Sequence, residues 1–108
     1  MDAIFRALYE AGADVVLSGH DHDYERFAPL NGDGQLDPAR GVRQFIVGTG
    51  GRSHYPLVRV TLSSEIGNGN TFGVLMLTLH PTSYAWEFVP ERGKTFTDRG
   101  STPCSPAR

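Results

Sequence analysis

Asp14-Val15-Val16-Leu17-Ser18-Gly19-His20-Asp21-His22-Asp23-Tyr24-Glu25-Arg26 decides how this chain is read. Its apolar opening has the pattern of a short inner strand of a parallel sheet. Gly19 permits the sharp exit that such a strand needs. In an extended segment the side chains at i and i+2 point to one side, so His20 and His22 converge on one locus. Open α/β sheets place ligands beyond the carboxyl ends of their strands, where this pair falls. Two imidazoles meeting there suggest a metal site. Asp21, Asp23 and Glu25 add negative charge that lowers the cost of gathering a multivalent cation. Asp21 and Asp23 point away from the histidines in an extended chain, so they suit turn formation or hydrogen-bonding support better than ligation.

Outward from this stretch, the chain reads as one helix followed mostly by strands. Asp2 is a plausible N-cap, Ile4, Phe5, Leu8 and Ala11 form an apolar stripe, and Gly12 suits the C-terminal cap. That helix is expected to pack on the sheet containing residues 15–17. Residues 29–41 hold Pro29, Asn31-Gly32-Asp33-Gly34 and Asp37-Pro38, which is loop chemistry. Gln44 to Val47 reads as a strand ending at Thr49-Gly50-Gly51. Leu57 to Leu62 alternates, and residues 67–70 mark a turn. Residues 72–80 and 84–89 flank Pro81-Thr82-Ser83 as a strand-turn-strand hairpin. Tyr84, Trp86 and Phe88 line one face of its second strand, and Leu75, Leu77 and Leu79 share a face of the first. An aromatic row at strand spacing is read as a packed sheet face in preference to a sugar or base platform. It implies a second layer against that sheet.

Composition narrows the classes. In 108 residues, 39% hydrophobic and 20% charged content describe an ordinary folded domain. A formal charge of −2 supplies no basic footprint for nucleic acid. No continuous apolar stretch is long enough to span a bilayer.

Residues 15–27, Val-Val-Leu-Ser-Gly-His-Asp-His-Asp-Tyr-Glu-Arg-Phe, resemble the last metal-binding motif, Gly-His-x-His, of the calcineurin-like metallophosphoesterases. The trailing Asp23-Tyr24-Glu25-Arg26 is similar to the purple-acid-phosphatase-like branch. Gly41 to Gly51 resembles the next strand and glycine loop of that branch. Residues 72–90, with Gly93 to Asp98, are similar to the terminal strands of secreted bacterial members. The family's other motifs are Asp-x-His, Gly-Asp-x-x-Asp/Tyr, Gly-Asn-His-Glu/Asp and a solitary histidine, and none of these occurs here. Gly32-Asp33-Gly34-Gln35-Leu36-Asp37 is no substitute for the second, because its acids are one residue too far apart and it follows the histidine pair.

What the resemblance implies can be set out for the whole chain. Residues 1–99 would be the C-terminal portion of an α/β metallophosphoesterase domain, a four-layer α/β/β/α sandwich, and residues 100–108 a disordered tail. The parent would be a secreted hydrolase that cleaves phosphate esters with a metal-bound hydroxide. His20 would bind the second metal and His22 the first, with iron paired with zinc or manganese as the expected cofactors. The partners would be the phosphate-ester substrate and the remainder of the phosphoesterase domain, with no nucleic acid and no membrane. The competing expectation is a non-catalytic, β-rich extracellular binding module, in which the histidines finish a strand and calcium adds stability.

Lesser candidates remain. Asn31, Asp33 and Asp37 carry oxygen donors at spacings seen in calcium loops, but the glycine at the sixth position and the distal glutamate of an EF-hand are absent. Asn-Gly-Asp-Gly is also good turn chemistry, the plainer reading. The loop Gly48-Thr49-Gly50-Gly51 can approach a phosphate through backbone N–H groups, and Arg52 and His54 are the candidates for substrate contact beside it. Solvated loop residues are the alternative for both. It is not a P-loop, since lysine and helix start are missing. His80 reads as structural. Cys104, the single cysteine, cannot close an internal disulfide.

Overall fold

The computed structural model describes residues 3–19, 23–50 and 64–105. Helix α1 (Ala3–Glu10) leads into β1 (Val15–Ser18), then β2 (Tyr24–Phe27), β3 (Arg43–Val47), β4 (Ser64–Asn68), β5 (Gly73–Leu79), β6 (Ser83–Pro90) and β7 (Asp98–Pro103). The result is a small α+β fold of one short helix and two sheets, dominated by strands.

Helix α1 stops at Gly12, whose φ of 85° is cheap for glycine alone. The Gly12 N–H donates to the Tyr9 carbonyl and the Ala13 N–H to that of Leu8, satisfying the last turn. Phe5 is buried on its inner side, but Ile4, expected in the apolar stripe, is exposed. The contacts that tie the helix down go to the loop 28–42. Arg6 pairs with Asp33 at 2.7 Å, Tyr9 donates to Asp37 at 2.9 Å, and Gly32 lies against the side chains of both Arg6 and Tyr9. Asn31 Oδ1 accepts from the N–H groups of Asp33 and Gln35, so this loop uses its oxygen donors to hold its own turn.

The first sheet has the order β1-β3-β2-β4. β1 runs parallel to β3, Val15 opposite Arg43 and Leu17 opposite Phe45. β2 is antiparallel to both β3 and β4. Among the described residues β1 is therefore an outer strand, not the inner one its apolar run suggested. Leu17 is accordingly more than half exposed. β2 was not legible as a strand because Glu25 and Arg26 interrupt its apolar pattern. It forms because Tyr24 and Arg26 alternate onto one face and find partners there.

The second sheet, β5-β6-β7, is an antiparallel meander whose β5–β6 hairpin matches the sequence expectation. Tyr84, Trp86 and Phe88 are buried together with Tyr24 and Phe45 of the first sheet. Tyr24 and Phe88 have ring centroids 4.7 Å apart, and Phe45 meets Trp86 edge-on at 5.5 Å. Each such ring removed from water contributes roughly 1.5–3 kcal/mol before entropy is counted. The aromatic row is thus the inner face of a two-sheet sandwich.

Two expectations about local structure change. Gly67, read as part of a turn, lies in β4 opposite Glu25, and the bend begins at residue 69. The tail expected from residue 100 is instead strand β7 through Pro103. Gly100 lies so close to Trp86 that a Cβ there would sit 2.5 Å from the indole, and Asp98 anchors the strand's start. Past the strand, the Ser105 N–H and hydroxyl both donate to Asp14 Oδ1, at 2.7 and 2.6 Å.

Asp98 is the polar centre of the sandwich. Its carboxylate accepts from Tyr24 Oη at 2.6 Å, Arg26 Nε at 2.8 Å and Trp86 Nε1 at 3.2 Å. Burial alone would raise this carboxyl, but the hydrogen bonds from Arg26 and Tyr24 and the Arg26 charge outweigh it and hold it below the usual range. Burial, then the Asp98 carboxylate, push the Tyr24 phenol far up, so it stays a neutral donor. Because the folded-state value of Asp98 is depressed, its contribution is intact above the unfolded value of about 4 and is lost as pH falls through the lower folded value. Asp98→Ala, which removes one of the two carboxylates beside Arg26 and leaves the buried Tyr24 and Trp86 donors without their acceptor, is expected to cost about 2–4 kcal/mol in urea denaturation at pH 7. Asp98→Asn should flatten the acid limb of stability below about pH 4. Thermal melts from pH 7 to pH 2 read that limb.

Candidate functional site

All four residues nominated by the sequence, His20, His22, Arg52 and His54, lie outside the described residues, as does the alternating segment 57–62. The structure describes the flanks that carry them. β1 ends at Ser18, and Gly19 follows over the end of β3, with Val47 O 3.7 Å from where its Cβ would stand. On the far side of the histidine pair, the Asp23 carbonyl accepts from the Gly48 N–H at 2.9 Å. β1, parallel, and β2, antiparallel, thus stand on either side of β3, with Gly19 and Asp23 both at its carboxyl end. Both ends of the Gly-His-x-His segment are held at that rim.

The glycine loop that leads to Arg52 and His54 starts from the same rim. Thr49 is buried; its hydroxyl donates to the Gly73 carbonyl at 2.9 Å and its carbonyl accepts from the Gly73 N–H at 3.0 Å. This reciprocal pair pins the exit of β3 to the start of β5, and Gly50 beyond it stands in open space. The two flanks meet through the Gly48–Asp23 bond, so the elements bearing the nominated histidines and the nominated substrate residues leave from adjacent points.

One feature of this rim was missed in the sequence. Asp23 and Glu25 are both buried. Tyr24 and Arg26 face the second sheet, so strand alternation turns Asp23 and Glu25 to the opposite face. Among the described residues, Glu25 Oε2 is shielded from solvent and has no hydrogen-bond partner. A carboxylate left so is costly, and such an atom in a folded protein asks for an explanation. The acid was visible in the sequence, but its burial depends on β2 being an inner strand, which its composition conceals.

The other titratable groups that the sequence brought forward offer no second site. Asp33 and Asp37, the loop acids considered for calcium, pair with Arg6 and Tyr9. His80 is exposed, and its backbone N–H closes the β5–β6 hairpin on the Ser83 carbonyl. Burial, with Asp14 nearby, pushes the Cys104 thiol up, the wrong direction for a nucleophile. Comparison with protein-family models, curated proteins and solved structures finds no match.

If the negative potential of Glu25 serves a cation at the histidine pair, Glu25→Gln separates two effects. The variant is expected to melt at the same temperature as the parent or higher without metal, because a buried carboxylate with one unpartnered oxygen becomes a neutral amide. It should also lose part of any rise in melting temperature that zinc or manganese confers. Differential scanning fluorimetry with and without metal measures both.

Proposed function

We propose that this chain is the C-terminal part of a calcineurin-like metallophosphoesterase of the purple-acid-phosphatase-like branch, belonging to a four-layer α/β/β/α sandwich that cleaves phosphate esters. The observation that carries the reading is the placement of the residues on either side of the histidine pair. Both flanks of the motif sit on the carboxyl end of two parallel strands, the usual place for a ligand site in such sheets. A second sheet packed through an aromatic face, as the resemblance implies, supports it further.

In this reading His20 and His22 hold part of a two-metal centre, iron with zinc or manganese. Imidazole donors suit those metals, and buried Asp23 and Glu25 add negative potential on the strand that follows. When bound, the metals supply a hydroxide nucleophile at neutral pH and neutralise the phosphoryl oxygens. The chain's own residues orient: the Gly48–Asp23 bond fixes the start of β2 against β3, and Thr49 fixes the loop leading to Arg52 and His54. Arg52 would then offer a two-pronged guanidinium to a phosphate, and His54 a neighbouring donor. Two imidazoles do not complete a dinuclear site. Bridging carboxylates must come from the remainder of the domain, in a parent protein that the resemblance makes secreted.

The 108-residue chain alone is therefore expected to bind zinc or manganese weakly by calorimetry, lose that binding in His20→Ala and His22→Ala, and leave p-nitrophenyl phosphate intact. Joined to the coding sequence upstream of Met1, it should hydrolyse the ester in a metal-dependent, His20-dependent way. Absence of the Asp-x-His and Gly-Asn-His-Glu/Asp motifs from that upstream sequence overturns the proposal. So does full metal-dependent activity that survives His20→Ala.

A further inference from the structure

The dipeptide Asn-Gly occurs twice in the chain, at Asn31-Gly32 and at Asn68-Gly69. Asparagine is chemically labile in this setting, because no Cβ hinders the glycine nitrogen as it approaches the side-chain amide carbon. In both places the side chain is already folded back over that nitrogen. Asn31 Oδ1 accepts from the Asp33 N–H at 2.8 Å, and Asn68 Oδ1 from the Asn70 N–H at 3.0 Å. Each such turn draws the amide carbon over the intervening peptide. The third asparagine, Asn70, is followed by Thr71, whose buried, branched side chain obstructs the same approach.

What separates the two Asn-Gly sites is the freedom to close the last gap, which requires the backbone to turn about the asparagine Cα–C bond. At Asn31 that rotation is blocked. Its Oδ1 also accepts from the Gln35 N–H at 3.0 Å, its N–H donates to the Gln35 carbonyl at 2.8 Å, and its carbonyl accepts from the Gly34 N–H at 3.1 Å. Gly32 is buried against the side chains of Arg6 and Tyr9, which are tied in turn to Asp33 and Asp37. Moving this peptide breaks the turn and its seat on helix α1 together.

Asn68 is held far less. It is the last residue of β4, an outer strand among the described residues, and it pairs with Tyr24 on β2. Gly69 and Asn70 beyond it form a bend, and Asn70 is exposed. Opening the final pair of an outer strand is among the cheapest motions a sheet allows. Positive φ occurs at Gly12, Gly34 and Gly93 but not at Gly69, so the bend itself does not call for glycine there.

We propose that Asn68 is a site of self-modification by loss of ammonia. The Gly69 nitrogen attacks Cγ of Asn68, the Cγ–Nδ2 bond breaks, and the Gly69 proton leaves with the amide nitrogen as ammonia. Water then opens the cyclic imide at either carbonyl, giving aspartate or isoaspartate at position 68. Aspartate keeps an acceptor for the Asn70 N–H and adds a negative charge. Isoaspartate lengthens the main chain by one methylene at the pair with Tyr24, the residue after Asp23 at the motif's downstream flank. This goes beyond the phosphoesterase reading and needs neither metal nor substrate, so either can fail without the other.

Peptide mapping by mass spectrometry of the folded chain, aged at mildly alkaline pH, tests it, with isoaspartate marked by a carboxyl methyltransferase specific for that residue. Product is expected at residue 68 about tenfold faster than at residue 31, and the two rates should converge in urea, where the fold no longer distinguishes them. Gly69→Ala should slow the reaction at residue 68 about tenfold and leave residue 31 unchanged, near-UV circular dichroism from Trp86 reporting that the variant folds. Equal rates at the two sites in the folded chain, residue 31 reacting first, or no product at residue 68 over the time in which the urea-unfolded chain reacts overturns the proposal.

Discussion

A single carboxylate holds the two sheets in register. Asp98 starts β7, yet the groups that donate to it come from β2 and β6, so one side chain joins three strands from both layers. Around it the charge is balanced in turn. Arg26 also pairs with Glu65 of β4, and Glu65 accepts from Arg43 of β3. Arg43 reaches the Phe27 carbonyl at 2.9 Å and the Tyr84 hydroxyl at 3.3 Å. Buried ions are expensive to desolvate, and such a cluster is tolerable only where nearly every donor and acceptor has a partner. Here they do, and what the network provides above all is alignment. Apolar faces alone would let the sheets slide by a residue pair at modest cost, whereas displacing Asp98 breaks several charged bonds together.

That alignment matters at the rim where the motif is carried. β2 is held by Tyr24 and Arg26 at Asp98, and its beginning is the segment that leaves Gly-His-x-His. The position of the motif's downstream flank is thereby tied to the second sheet as well as to β3. Thr49 does the same for the glycine loop by joining it to β5. Rigid elements on both flanks are what a precisely placed ligand site requires.

The elements that the sequence displayed openly are those with uninterrupted patterns. The β5–β6 hairpin, with its Leu75/Leu77 and Tyr84/Trp86/Phe88 alternation, and the cap at Gly12 are local signals with local causes. β2 and β7 were not legible, and the reason is shared. Tyr24-Glu25-Arg26-Phe27 and Asp98-Arg99-Gly100-Ser101 look like loops because the inward positions Arg26 and Asp98 carry charge and Gly100 has no side chain. Arg26 and Asp98 satisfy one another across 72 residues of sequence, and Gly100 makes room for Trp86. Long-range partners of this kind leave no periodic trace. For the same reason the burial of Glu25 was hidden, while the place of the motif's flanks at a strand end followed directly from the apolar run before it. That this run lies in a parallel pair was expected; its outer position among the described residues was not, because an apolar edge strand looks in sequence like a buried one.

The chain has a single tryptophan, and it sits on the seam between the layers. The guanidinium carbons of Arg26 and Arg43 lie 5.2 and 4.9 Å from the centre of its ring, and its N–H is bound to Asp98. The molecule thus carries one indole chromophore in direct touch with the cluster that registers its two halves. Its emission colour reports the closure of that seam, free of contributions from any other indole.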